Sequence, residues 1–352
     1  MTQLKVLCVG DPHLKTNNVQ ESECMIREVL RVCQETSPDV IICMGDVLDR
    51  FSKVDTPCLK RAISFFEEMA AFAPLYVLIG NHDRPNNTTF EIDDHAYTAV
   101  KKWDPELGVT VIDKPTKVIL GGMLMVMMPY LPVGQFVHSL NTLDKEDQHL
   151  RNTIPSWNSA RVIFAHQEFY GVNMSGQEST LGDKWAKQFP LVVSGHIHQF
   201  QELNGNIIYV GSPSQLNFGD TLDKSLSLIT LSPTMKSHKR YYLTIPVRID
   251  LVITYSEINT CVTPILPTED SKLRIIIKGT VEELKRINKL SRVIEWRKKG
   301  YYISTQTILG EKEQMEAVTH QGVTFVGFLT MLRESLTEFP DLLGLMEGLV
   351  KN

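Results

Sequence analysis

Five short clusters of metal-ligand residue types are spread through the first 200 residues. They are Asp11-Pro12-His13, Gly45-Asp46-Val47-Leu48-Asp49, Gly80-Asn81-His82-Asp83, Ala165-His166 and Gly195-His196-Ile197-His198. Asp11, Asp46 and Asn81 offer oxygens, while His13, His166, His196 and His198 offer imidazole nitrogens, and no cysteine is among them. A mixed oxygen and nitrogen set larger than the four ligands of one tetrahedral zinc points to two divalent ions. Two ions about 3.5 to 4 Å apart need a shared anionic bridge, activate water near neutral pH and clamp a phosphoryl group for in-line attack. Asp46, with ligand types on both sides of it along the chain, is the natural bridge. A lone Asp-x-His or His-x-His is common on surfaces and says little. Here five of the ten histidines stand where apolar runs end, whereas His95, His138, His149, His238 and His320 lack that context and read as surface or core residues.

The elements that must position these residues alternate in type. "LKVLCVGD", "DVIICMGD" and "LYVLIGNH" read as strands, separated by helical stretches over about 20–35 and 56–73. That βαβαβ order predicts a mostly parallel, buried sheet, and ligands of such sheets gather beyond the carboxyl ends of the strands. Gly45, Gly80 and Gly195 stand where the backbone must turn and approach a neighbour closely. From Val109 the runs are denser in strands: "VTVID", "TKVIL", "MLMVMMPY", "RVIFAHQ", "LVVSGHIH", "NIIYVGSP" and "SLSLITL". Two packed sheets flanked by helices account for this texture. After "LSPTMKSHKRYY" a β-α-β unit is expected from "KLRIIIKG", "TVEELKRINKL" and "RVIEWRKKGYYIS", and two apolar helical runs close the chain.

With 352 residues and 43% hydrophobic content, the chain suits two or three globular units. No signal peptide and no membrane span is expected, because no long apolar run is present. Cys8, Cys24, Cys33, Cys43, Cys58 and Cys261 form no C-x-x-C pair and fit buried thiols in a reducing, intracellular setting. The net charge of −5 excludes nucleic-acid binding through overall basicity. It is unevenly spread, however. Residues 1–235 hold 19 Lys/Arg against 27 Asp/Glu (19 − 27 = −8), and residues 236–310 hold 14 against 7 (14 − 7 = +7). A basic module of that kind can guide a polyanion toward an acidic, metal-neutralised site.

In order, spacing and residue type, the five clusters resemble the motif set of the calcineurin-like metallophosphoesterases over about 4–198. The resemblance implies an α/β fold: a four-layer α/β/β/α sandwich with a two-metal centre. "NIIYVGSPSQLNFGD" and "VIDKPTKVIL" followed by "MMPYLP" are similar to the SbcD-type nuclease subunit of double-strand-break repair complexes, especially its compact phage recombination endonucleases. By that resemblance residues 1–235 form the phosphoesterase (nuclease) domain, 236–310 a small basic α+β capping domain that positions DNA, and 311–352 a C-terminal helical segment that binds an SMC-type ATPase of the SbcC kind. One metal is then held by Asp11, His13 and His198, the other by Asn81, His166 and His196, with Asp46 bridging. Manganese is the ion the family implies, and the ligand types also admit magnesium, iron or zinc. Members of the family commonly form homodimers.

The activity implied by this resemblance is that of a two-metal DNA endo/exonuclease acting on single strands and duplex ends, inside the cell, in the cytoplasm or nucleoid, or inside the host cell for a viral chain. His82, an imidazole beside the metals that is not itself a ligand, is the expected proton donor to the leaving oxygen, with Asp83 orienting it or its loop. Asp49 falls where family members carry His or Asp and is expected on the phosphate side or behind the ligands. Two other functions fit the motifs: a small-molecule or cyclic-nucleotide phosphodiesterase, and a non-catalytic scaffold for DNA and an ATPase.

Overall fold

The computed structural model describes residues 3–51, 53–90, 93–102, 108–149, 153–174 and 176–308. The helical runs expected in 311–352 lie outside the described residues. Among the described residues two compact units emerge: one within 3–249 with 265–273, the other from 250–264 with 274–308.

The first unit carries all five ligand clusters on two six-stranded sheets. In one, β1 (Leu4–Val9), β2 (Val40–Cys43), β3 (Leu75–Leu78) and β4 (Val109–Ile112) run parallel to one another. The antiparallel strands β13 (Ser225–Leu231) and β14 (Lys236–Tyr242) extend that sheet beyond β1. In the other, β6 (Met123–Met128), β7 (Val162–Ala165), β10 (Leu191–Ser194) and β12 (Ile207–Tyr209) form the parallel centre, edged by antiparallel β5 (Thr116–Leu120) and β11 (Gln201–Leu203).

Alternation along the strands builds the layers, because successive side chains point to opposite faces. Val6, Cys8, Ile42, Met125, Met127, Phe164 and Val193 form the core between the sheets. Leu7, Val9, Ile41 and Val77 turn outward onto α1 (Val19–Thr36) and α2 (Thr56–Ala70), which present Met25, Val29, Phe65 and Phe66. Val126, Met128, Ile163 and Val192 face the layer that includes α3 (Phe136–His149), with Phe136 and Leu140 buried there. This is the expected α/β/β/α sandwich. A short ribbon, β8 (Asn173–Met174) with β9 (Gln177–Glu178), stands between β7 and β10 in the chain. Among the described residues no helix is long and apolar enough to cross a membrane.

The second unit is built on a three-stranded sheet in the order β15 (Arg248–Thr254), β16 (Lys272–Gly279) and β17 (Tyr302–Thr307), with β16 and β17 parallel. Between those two come α4 (Val281–Arg286), opened by a Thr280/Glu283 capping box, and α5 (Ser291–Lys298). "RVIEW" is therefore helix and not the start of the returning strand. Its β-branched and aromatic residues favour a strand locally, but Val293 and Trp296, three apart on one helical face, are both buried. Gly300 at φ +81° then reverses the chain into β17.

Candidate metal centre

Every cluster sits just past a strand's carboxyl end: Asp11 and His13 after β1, Asp46 after β2, Asn81 and His82 after β3, His166 after β7, and His196 and His198 after β10. Both sheets thus deliver side chains to one point. The turns that do so carry backbone strain, since His13 (φ +46°), Asp46 (φ +51°) and His196 (φ +77°) all occupy the left-handed region that non-glycine residues avoid. Hydrogen bonds hold those turns in place. His13 N donates to Asp46 O (3.0 Å), and His196 N donates to Asp11 Oδ1 (3.0 Å). Gly45 makes the approach possible, for a Cβ there would stand 2.7 Å from His166 Nδ1.

The donor atoms fall into two groups. In the first, His13 Nε2 and His198 Nε2 are 3.1 Å apart, and the nearby Asp11 is fully buried. In the second, Asn81 Oδ1 lies 3.0 Å from His166 Nε2 and 2.9 Å from His196 Nδ1. Asp46 Oδ2 joins them, 3.6 Å from His13 Nε2 and 3.3 Å from His166 Nε2, which is the geometry of a bridging oxygen. The residues fit a pair of divalent cations on one further count. Asp11 Oδ2 is buried with no hydrogen-bond partner, a costly state for a carboxylate unless a cation meets it. Ligand atoms of Asp46, His166 and His196 lie within 4.8 Å of one another, and so do those of His13, Asp46 and His82.

Electrostatics within this buried cluster are strongly divided. Burial raises the Asp11 carboxyl to about 6. Asp46 is equally buried, but the His166 and His13 imidazoles beside it hold it well below the usual carboxylate range. Burial opposes charge on His166, yet Asp46 and Asp11 outweigh it and raise that imidazole to about 9. His196 and His198 are pushed down to about 3, first by burial and then by His166 and His13 respectively. Two bare imidazoles facing carboxylates are what a cation of mixed oxygen and nitrogen preference meets.

The remaining expected residues surround the donors. His82 Nδ1 lies 2.6 Å from the carbonyl of Asp49, so this nitrogen carries the proton and Nε2 is the one left for chemistry. Phe51 stacks on the His82 ring at 4.1 Å. Burial lowers the His82 imidazole below its ordinary range, partly offset by Asp46. Asp83 braces the loop, accepting from Gly80 N (3.0 Å), Leu48 N (3.3 Å) and the Tyr97 hydroxyl (3.2 Å). The Asp49 carboxylate pairs with Lys15 Nζ at 2.9 Å and stands 3.4 Å from His13 Nδ1, behind the donors.

Sequence reasoning missed three supports. Lys15 is one. Another is Arg84, buried, whose Nη1 donates to Tyr130 O (2.8 Å) and whose Nη2 donates to Thr89 O; the Tyr130 ring sits 5.8 Å from that of His196. The third is Lys224, buried behind the last motif, whose Nζ donates to His198 O (3.0 Å) and Ser212 Oγ (3.1 Å). Lys15 could have been suspected from its place two residues after His13. Nothing local marks the other two.

Comparison with known proteins agrees with this geometry. The calcineurin-like phosphoesterase family matches residues 4–200. A putative phosphoesterase, 244L, of Invertebrate iridescent virus 6 is 36% identical over 296 residues, which is 82% of this chain and 99% of the viral protein. Exonuclease subunit 1 of Enterobacteria phage T4 is 24% identical over 231 residues, 62% of each chain. The DNA double-strand break repair protein Mre11 of Thermoplasma acidophilum is 24% identical over 191 residues, 53% of this chain and 48% of that protein.

Proposed function

The chain belongs to the calcineurin-like phosphoesterase family, a metal-dependent phosphoesterase by fold and donor set, and we propose that it is a DNA phosphodiesterase that processes strand ends in recombination and double-strand-break repair. The observation that carries the nuclease reading is that two relatives are named for exonuclease action and for DNA double-strand break repair. The excess of +4 over residues 250–264 and 274–308 of the second unit supports it, as a basic unit suited to hold a strand (9 − 5 = +4).

Asp11, His13, His198 and the bridging Asp46 would hold one ion, and Asn81, His166, His196 and Asp46 the other, with manganese the preferred species. Bound there, divalent ions polarise phosphoryl oxygens and acidify water. The chain's own part is positional. Asp46 fixes the spacing of the two donor groups through the 2.8 Å bond that His82 N donates to its Oδ1. His82, its Nδ1–H held on Asp49 O, keeps one ring orientation; Nε2 must first take a proton from solvent, and the resulting imidazolium gives that Nε2 proton to the leaving oxygen and returns to the neutral Nδ1–H form. Arg84, clamped on the Tyr130 carbonyl, keeps that ring against His166 and His196. An SMC-type ATPase bound through residues 311–352 completes the proposal.

The test is purified protein with manganese on linear duplex DNA, single-stranded circles, a chromogenic phosphodiester and a chromogenic monoester, beside His82→Ala. Cleavage of DNA and diester, with the variant slowed but still loaded, supports the reading. Cleavage of the monoester alone sinks it. Co-purification of an ATPase that depends on 311–352 tests the partner.

A further inference from the structure

A cavity of about 730 Å³ opens beside His196 and His198, and Lys224 stands in its wall. Its volume falls within the roughly 300–1,000 Å³ of small-molecule sites. Resting on the diesterase reading above, we infer that this cavity takes a second phosphate of the substrate strand, one linkage from the scissile phosphate, with Lys224 as its cation.

Lys224 is a charge without a direct counter-charge. It is only 4% exposed, and its Nζ donates to His198 O (3.0 Å) and Ser212 Oγ (3.1 Å), both neutral oxygens. An ammonium has three N–H donors, so these bonds leave one unused and the charge itself unanswered. Burying a charge in that state is costly unless an anion meets it. Three carboxylates act on Lys224 from a distance, and each is engaged elsewhere. Asp220 Oδ2 accepts from Leu216 N (2.8 Å) and Asn217 N (3.2 Å), and Asp223 pairs with Arg240 Nη2 (3.1 Å). Asp11 is a candidate metal donor and accepts from His196 N (3.0 Å). Among the described residues no carboxylate forms an ion pair with Lys224, which leaves its place open to an anion from outside the chain.

Position and size select that anion. His196 and His198 belong both to the cavity wall and to the metal centre, so an anion held here is a near neighbour of a phosphoryl group at the donors. The space admits a phosphate together with its sugar. Asn173, Gln199 and Asn217, also in the wall, carry amide N–H donors suited to phosphate oxygens. An occupant of both the cavity and the metal centre carries two phosphates in tandem, as a nucleic-acid strand does and a simple diester does not. Lys224 thus separates strands from simple esters by charge, without reading bases.

Two measurements test this on the full chain with manganese present. The first compares kcat/KM for thymidine 5′-(p-nitrophenyl phosphate) with and without a 3′-phosphate, and for thymidine 3′-(p-nitrophenyl phosphate) with and without a 5′-phosphate. Wild type should prefer the two-phosphate ester of one pair by about tenfold or more, the contribution of a charge-assisted hydrogen bond. Lys224→Met and Lys224→Gln should lose that preference, and Lys224→Arg, which keeps the charge, should retain most of it. Each preference is a ratio within one protein, so general damage to the His198 turn cancels from it. The second measures, by isothermal titration calorimetry, binding of thymidine 3′,5′-bisphosphate against the two thymidine monophosphates and inorganic phosphate. Wild type should bind the bisphosphate most tightly, and Lys224→Met should lose the difference. A wild type indifferent to the second phosphate in both ester pairs overturns the subsite, and so does a preference kept by Lys224→Met with folding intact by circular dichroism. A second inorganic phosphate bound by wild type and not by Lys224→Met, without any preference for the two-phosphate esters, assigns the cavity to a free anion and overturns the strand reading. Failure to hydrolyse any of the esters overturns the diesterase reading instead, and calorimetry then decides the subsite by itself.

Discussion

Gly80→Ala strikes the bridging carboxylate without altering a single candidate donor. A Cβ at position 80 would stand 2.2 Å from Asp46 Oδ1 and 2.3 Å from Asp46 N. Ordinary contact is about 3.5 Å, so more than about 1 Å must be found on two fronts at once. A rotamer change cannot supply it, because one of the two atoms is backbone and Asp46 Oδ1 is also held by His82 N at 2.8 Å. Metal sites tolerate about 0.2 Å, and a misplacement of about 1 Å costs on the order of 100-fold in rate. Overpacking of this kind costs about 1–3 kcal/mol of stability, which a folded domain survives. The expected outcome is a folded variant whose manganese affinity, by isothermal titration calorimetry, and diesterase kcat/KM both fall at least about 100-fold. Gly122→Ala is the control: its φ is +75° but nothing lies within 4 Å, so it costs only about 1–2 kcal/mol of left-handed strain and leaves manganese binding alone. A folded Gly80→Ala protein that takes up two manganese ions at wild-type affinity would refute the placement of Asp46.

Neighbouring substitutions should separate binding from chemistry. Asn81→Ala should weaken manganese binding in calorimetry, whereas His82→Ala should bind manganese normally and lose about 10²–10⁴ in kcat; loss of an ion from the His82 variant would make it a ligand. In EDTA, His166 is raised to about 9 against an ordinary 6.5, so its contribution to stability is complete below about pH 6.5 and lost as pH rises through about 9. The shift corresponds to on the order of 3 kcal/mol. Melting temperature should fall over that window, and manganese, which needs the neutral imidazole, should abolish the fall; a flat curve in EDTA would contradict the His166–Asp46 pairing. Thiol titration of the native protein should find Cys24 and Cys261 fast, with Cys8, Cys33 and Cys43, buried and pushed upward, reacting only after unfolding.

The succession of strands along the chain and the gathering of the candidate donors at their ends were legible because parallel strands buried on both faces read as unbroken apolar runs, and each run stops on Gly, Asp or His where the chain turns. Legibility failed where tertiary contacts overrule neighbours in the chain. "KSHKRYY" looks like a polar connector, yet it pairs along its whole length with β13 as an edge strand. Asp83, adjacent to His82, is its natural partner by position, but the carboxylate braces Gly80, Leu48 and Tyr97, and His82 is held by a carbonyl 33 residues away. Lys224 touches the last motif only because β13 returns beside β1.

The candidate donors are divided between the layers, with Asp11, His13, Asp46 and Asn81 following strands of one sheet and His166, His196 and His198 following strands of the other. Each proposed ion would therefore be gripped from both sides, like a rivet through two plates. The sheets are stitched along their length by methionines and aliphatics, but at this rim two acids and strained turns push against one another. Loading would close the rim and unloading would let it gape. Cooperativity of unfolding would then depend on cation supply: one transition for the riveted protein, and for the stripped protein an early parting of the layers from the catalytic edge inward, visible as faster hydrogen exchange in the turns after β1, β2 and β10.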